Sequence, residues 1–208
     1  MSITINHELP LPEVLKSQYP LSPELKEVKK QRDEEIRRIF TGESDKFIVL
    51  VGPCSADNED TVCEYVRRLK TVADEMLYPE NRSYLDDILS YEAVGARSVE
   101  NQQHRLTASG MDIPVGMKNP TCGDLSVMLN SVTAAQHPHH FIYRGCDVET
   151  SGNDLAHTIL RGGVNQYGQT IPNYHYEDLM TLAALYAKKD LKNPAVVVDA
   201  NHSNSNKQ

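Results

Sequence analysis

Tryptophan is absent from this chain of 208 residues, and phenylalanine occurs only three times. Cysteine is scarce too: the four residues at 54, 63, 122 and 146 show no CxxC spacing. That argues against a zinc cluster of standard spacing and makes reduced, cytoplasmic thiols the simplest expectation. Basic residues are in the minority, 21 Lys and Arg against 29 Asp and Glu, for a net charge of -8 and a pI of about 5.5. No basic field exists to meet a phosphate backbone, so nucleic acid is not an expected partner. No signal peptide or transmembrane run is visible, so neither is a membrane. The glycines of 95–98 and 161–163 form neither GxGxxG nor a Walker loop. Low-complexity tracts and short-period repeats are also missing.

What remains is a repeated local pattern. Residues 194–208 read PAVVVDANHSNSNKQ, a short apolar run followed by a polar turn carrying Asp199, His202 and Lys207. A β-branched run behind a proline is the pattern of a buried parallel strand. The same grammar recurs where FIVLVGPCS reaches Cys54, EAVGARS reaches Arg97, PVGMKNP reaches Lys118 and HTILRGG reaches Arg161. Several strands that each deliver a polar residue at their carboxyl end point to a (β/α) barrel with one shared site.

Along the chain, residues 1–20 read as an extended, proline-punctuated arm, and Ser22-Pro23 starts a helix that runs to Phe40. Residues 1–45 are thus an arm and helix ahead of a barrel region, 46–208. Residues 47–51 are expected to be the first strand. Asp57 or Asn58 then caps a helix to Lys70 whose inward face is Val62, Val66 and Leu69. The segment TVADEML follows at once as a strand carrying Glu75. A helix-to-strand connection normally needs more residues than Lys70-Thr71 supplies, so the junction is suspect. Further strands are expected at 92–95, 114–117, 156–160 and 195–198, helices at 124–136 and 174–188, and a hairpin arm at 139–143. That makes about six of the eight strands that closure requires.

Two constellations carry chemistry. Cys54 and His202 are metal-ligand types, although two ligands do not secure a site, and a buried thiol with a hydrogen-bonded histidine is the bland alternative. Arg97, Lys118 and Arg161 are cations on strand ends that would repel one another unless an anion sat between them. A small phosphorylated acid fits best, and salt bridges to Asp74, Glu75 or Glu100 are the alternative.

At these residues the chain resembles the metal-dependent, feedback-regulated 3-deoxy-D-arabino-heptulosonate 7-phosphate (DAHP) synthases. GPCS at 52–55, GARSVENQQHR at 95–105, PVGMKNPT at 114–121, ILRGG at 159–163 and DANHSNSNKQ at 199–208 carry the resemblance. It implies a (β/α)8 barrel with an N-terminal extension and a β-hairpin insertion. It also implies condensation of phosphoenolpyruvate with erythrose 4-phosphate, with release of phosphate, in aromatic amino acid biosynthesis. By that resemblance Cys54 and His202 are metal ligands for Mn, Fe, Zn or Co. Arg97, Lys118, Arg161 and the backbone N–H of Ala96 hold phosphoenolpyruvate, and Glu75 is the acidic residue of the site. An aromatic amino acid effector and a homo-oligomer, dimer or tetramer, are further implications. Two departures stand out. No match exists for a family strand between the regions of Lys70 and Thr71 that carries a KPRT-type motif, and the C-terminal region bearing the remaining carboxylate ligands is expected to be missing. The competing readings are a non-catalytic remnant that binds an anion, an aromatic amino acid or a full-length synthase, and another small barrel such as an aldolase using Lys118.

Overall fold

The computed structural model describes residues 3–53, 55–143 and 145–208. The N-terminal arm is not wholly extended: α1 spans Pro12–Gln18. Pro12 at the first helical position, Glu13 in the first turn and Lys16 in the last suit both the fixed φ of proline and the helix dipole. The arm is also tied down, by an ion pair from Lys16 to Asp86 and by the Tyr84 hydroxyl donating to the Pro10 carbonyl at 3.1 Å. Helix α2, Pro23–Phe40, starts as expected, with the Ser22 hydroxyl accepting from the Leu25 N–H. Helix α3, Glu59–Leu69, is capped by Asn58 and ends on Lys70 in the left-handed conformation, φ 52°. That single residue makes the abrupt turn into strand β1, Val72–Met76.

The rest alternates as the pattern requires. Strand β2, Leu89–Val94, follows the short helices Pro79–Asn81 and α4, Arg82–Leu85. Then come α5, Gln102–Ser109, β3, Val115–Lys118, and α6, Leu125–Gln136, whose N-cap is Asp124. Strands β4, His140–Tyr143, and β5, Cys146–Glu149, pair antiparallel as the expected hairpin. Strand β6, His157–Leu160, precedes a small hairpin, β7 Gly163–Val164 with β8 Thr170–Ile171. Helix α7, Tyr176–Ala187, and β9, Val196–Val198, complete the series before a turn of 3-10 helix, His202–Ser205. Among the described residues no helix is long and apolar enough to cross a membrane.

The sheet is parallel in the order β1-β2-β3-β6-β9. Over the central strands β2, β3 and β6 both faces are covered. One packs Val94, Met117 and Leu160 against α5, α6 and α7 through Ala108, Met128, Val132 and Leu182. The other gathers Tyr91, Ala93 and Ile159 around Phe40 of α2. Gly116 is needed between them. A Cβ there would lie 2.3 Å from Ile159 Cδ1 and 2.4 Å from the Tyr91 hydroxyl, so glycine makes room for its neighbours.

Two expectations fail together. Residues 47–51 form no strand, and only Ile48 packs, against the Phe40 cluster, while Phe47 is 90% exposed. An apolar run becomes a strand only where a neighbour offers its free N–H and C=O groups. The edges of the sheet are β1 and β9, and neither pairs with this segment. Helix α3, the next element in the chain, buries none of its residues, and Val66 and Leu69 lie exposed instead of inward. Its apolar face has no strand beneath it. Among the described residues the sheet therefore has five strands where six were expected, with β1 and β9 as its edges.

Two buried titratable groups make the fold sensitive to pH. His157 is fully buried; its Nδ1 donates to the Leu155 carbonyl at 2.9 Å, and its Nε2 accepts from the Tyr91 hydroxyl at 3.0 Å. Phe40 lies over the ring, with centroids 4.3 Å apart. Burial pushes this imidazole down to about 4. Between pH 6.5 and 4 the unfolded chain takes up a proton that the folded chain refuses, so stability is lost as pH falls through that window. Substituting His157→Asn is expected to remove this loss, on the order of 3 kcal/mol, in denaturant midpoints measured across it. Glu92, 2% exposed on β2 beside Asp74 of β1, works the other way. Burial first, then the charge of Asp74, push its carboxyl up to about 8 against the opposing pull of Arg82. The folded chain keeps that proton while the unfolded chain releases it near the ordinary glutamate value, so stability falls as pH rises towards 8. Glu92→Gln should therefore raise the melting temperature above pH 8 and change it little below pH 4.5. Equal shifts at both pH values would contradict the assignment.

Candidate functional site

Parallel strands deliver their carboxyl ends to one edge of a sheet, and that edge collects the polar residues singled out above. Glu75 comes from the end of β1, Lys118 from β3, Arg161 from the residue after β6, and Asp199 and His202 from the turn after β9. Ala96 and Arg97 lie in the turn that follows β2, Ala96 half-buried and Arg97 exposed.

Lys118 occupies the middle. Its ammonium is ion-paired with the Glu75 carboxylate and lies 3.9 Å from Asp199 Oδ2. Glycine at 95 is what lets Glu75 reach over: a Cβ there would sit 2.3 Å from Glu75 Oε1. Arg161 is 6% exposed, and its Nη1 is buried without a hydrogen-bond partner among the described residues. Burial lowers its pKa first; the Asp199 charge opposes that, and the nearby Arg97 charge adds to it. Arg97, Lys118 and Arg161 thus share one electrostatic neighbourhood with Glu75 and Asp199. A buried guanidinium with an unused donor is a costly group to leave dry, and an anionic ligand would satisfy it.

His202 sits in the left-handed region, φ 51°, a conformation that costs a non-glycine residue roughly 1–2 kcal/mol. Its Nδ1 lies 2.9 Å from Asp199 Oδ2. That contact fixes the tautomer with Nδ1–H donating and leaves Nε2 as the ring's lone-pair donor, the arrangement seen when a carboxylate orients a metal-binding imidazole. Its expected companion, Cys54, lies outside the described residues. Among the described residues no three His, Cys, Asp or Glu side chains converge to hold a metal ion. The described donors amount to one oriented imidazole and do not fit a complete metal centre.

Sequence reasoning passed over several groups of this edge. Asp199 figured only as part of a polar turn, yet it contacts both Lys118 and His202. Asn119, fully buried directly after Lys118, was given no role. Its position in a strand-end KNP could have marked it, as the run of asparagines around His202 could have marked Asn204. Asn173 lies in a loop with no such pattern.

The model of the DAHP synthetase I family matches residues 20–86 and 70–208. The phospho-2-dehydro-3-deoxyheptonate aldolase of Corynebacterium glutamicum is 30% identical over 267 aligned positions, covering 97% of this chain and 70% of that protein. The Tyr-sensitive aldolase of that name from Escherichia coli is 29% identical over 273 positions, covering 99% of this chain and 74% of the relative. Both alignments are longer than the chain itself, so these relatives carry internal residues that have no counterpart here. In three dimensions, the structure of phospho-2-dehydro-3-deoxyheptonate aldolase from Francisella tularensis superposes with a TM-score of 0.86 at 27% identity, covering 99% of this chain and 78% of that one. With a family match that spans nearly all of its length, the chain belongs to the DAHP synthetase I family.

Proposed function

We propose that the strand-end edge binds phosphoenolpyruvate and that the chain is a cytoplasmic condensing enzyme joining it to erythrose 4-phosphate. The observation that carries this reading is the buried Arg161 guanidinium with its unused donor, within the field of Arg97 and of the Asp199 and Glu75 carboxylates that also face Lys118. Arg161 and Arg97 present planar forks suited to a phosphate or carboxylate, and Lys118 adds a point charge that an arriving anion can draw from Glu75. The Ala96 N–H is a further donor. In the reaction, C3 of phosphoenolpyruvate bonds to the aldehyde carbon of the sugar, water adds at C2, and the C2 phosphate leaves. The cations hold the phosphate and carboxylate in place and lower the cost of charge that builds on the departing group. Glu75, paired with Lys118, is placed to hold water or to take up the amine again when phosphate departs. A divalent ion, Mn, Fe, Zn or Co, held by His202 and Cys54 with further donors, would polarise the aldehyde or a water. The described donors are too few to hold it, so no step here runs through it.

A second reading has its own support. Residues 47–51 join no sheet among the described residues and all but Ile48 are exposed, and the relatives contain internal residues absent here. A chain that keeps the anion edge but has lost catalysis fits these facts equally. We put the missing segment at the Lys70-Thr71 junction, a reading supported by the overlap there of the two stretches that match the family model, 20–86 and 70–208. A homo-oligomer and an aromatic amino acid effector extend the family reading.

Two measurements separate these. With a divalent metal present, phosphate release from phosphoenolpyruvate is expected only when erythrose 4-phosphate is added; no sugar-dependent release rules out catalysis by this chain. Calorimetry with phosphoenolpyruvate alone should show binding that Arg161→Ala weakens about 10- to 100-fold, the worth of a charge-assisted hydrogen bond. Binding without turnover selects the second reading, and absence of both defeats the proposal.

A further inference from the structure

We propose that Asn119, Asn173 and Asn204 are positioning residues that fix the Arg161 backbone relative to Lys118 and His202. The inference rests on the functional reading above and assigns the means by which that edge is held in register. Strand β6 ends at Leu160, so the next N–H and C=O groups have no regular ladder to join. Side chains take over. The Arg161 N–H donates to Asn119 Oδ1 at 2.9 Å, and the Arg161 carbonyl accepts from the Ser203 N–H at 3.2 Å. The Gly162 N–H donates to Asn173 Oδ1 at 2.7 Å. Gly162 itself has φ +71°, and a Cβ there would meet Ser203 Cβ at 2.7 Å, so the chain turns sharply where the arginine must be held.

The three amides are linked to one another. Asn173 Nδ2 donates to Asn119 Oδ1 at 3.0 Å, and the Asn173 N–H donates to Asn204 Oδ1 at 2.9 Å. Asn119 Nδ2 donates to the carbonyls of Pro120 and Gly162, both at 2.9 Å. Asn204 Nδ2 donates to those of Leu160 and Asp199, both at 3.0 Å. Asn119 therefore uses two donors and two acceptor sites, the full capacity of a primary amide. Aspartate there would turn a carboxylate towards two carbonyl oxygens, and a longer amide would overfill a fully buried position. The network joins the end of β3, one residue from Lys118, to the end of β6 at Arg161 and to the turn after β9 that carries Asp199 and His202. It supplies the rigidity that a preorganised anion site needs, at a place where the sheet has run out of backbone partners.

Asn173 and Asn204 are only part-buried, so their alanine variants are suited to the test. The control is Ser109→Ala, which breaks part-buried hydrogen bonds to the Leu106 carbonyl and the Thr150 hydroxyl and lies outside the amide network. Phosphoenolpyruvate affinity by calorimetry and amide hydrogen exchange at Arg161 and Gly162 are read on the intact chain. Asn173→Ala is expected to weaken binding about tenfold and to lower protection at Gly162 about tenfold. Ser109→Ala should leave both unchanged. Wild-type affinity in Asn173→Ala and Asn204→Ala, or an equal loss in Ser109→Ala, overturns the inference. If the wild-type chain itself fails to bind phosphoenolpyruvate, the functional reading falls, and exchange decides the positioning role: protection lost only in the asparagine variants supports it, and protection kept overturns it.

Discussion

Like charges gathered at one edge must be balanced, and the balance around Lys118 is what the rest of the molecule depends on. The ammonium is clasped by Glu75 and faced by Asp199, while Arg161 is buried close enough to feel Asp199, Arg97 and Glu75. These groups come from β1, β3 and the turns after β2, β6 and β9, so their meeting requires parallel strands in the observed order. Without a ligand the carboxylates hold the cations in check. An anion that exchanged places with Glu75 at Lys118 would trade one ion pair for another and would not create charge in a dry cavity.

The same sheet is unfinished on both sides. Residues 47–51 have the composition of a core strand, yet all but Ile48 lie exposed, as do Val66 and Leu69 on the apolar face of α3. The Escherichia coli and Corynebacterium glutamicum relatives align over more positions than this chain possesses. A run of Phe, Ile and Val cannot be a strand by itself; it needs the hydrogen bonds of a neighbour. Over β2, β3 and β6 the two faces are covered, by α5, α6 and α7 on one side and by Phe40 of α2 on the other.

Much of this was legible in the residues. Apolar runs ending in a charged residue located β2, β3, β6 and β9. Ser22 marked the start of α2, and of the two candidates Asp57 and Asn58 it is Asn58 that caps α3. The failures have physical causes. Residues 47–51 satisfied every local rule for a strand, but pairing is non-local and no local rule contains it. By local rules Pro12 fits an extended arm, but proline suits the first turn of a helix equally, and α1 begins there. The cations of the edge were visible because charge at a strand end is conspicuous. The asparagines were not, because an amide that satisfies backbone groups looks like any loop residue until three strand ends are brought together. Buried Glu92 and His157 were missed for a similar reason: a polar residue inside an apolar strand reads as noise until its neighbours are known.

The central claim is that Arg97, Lys118 and Arg161 form one anion site. The most direct measurement is a phosphorus NMR titration of phosphoenolpyruvate with the intact chain and with Lys118→Met. One saturable shift that free phosphate competes away, and that the variant loses, is the predicted result. A resonance that stays at its free position in the presence of the intact chain, or moves identically with the variant, would contradict the account.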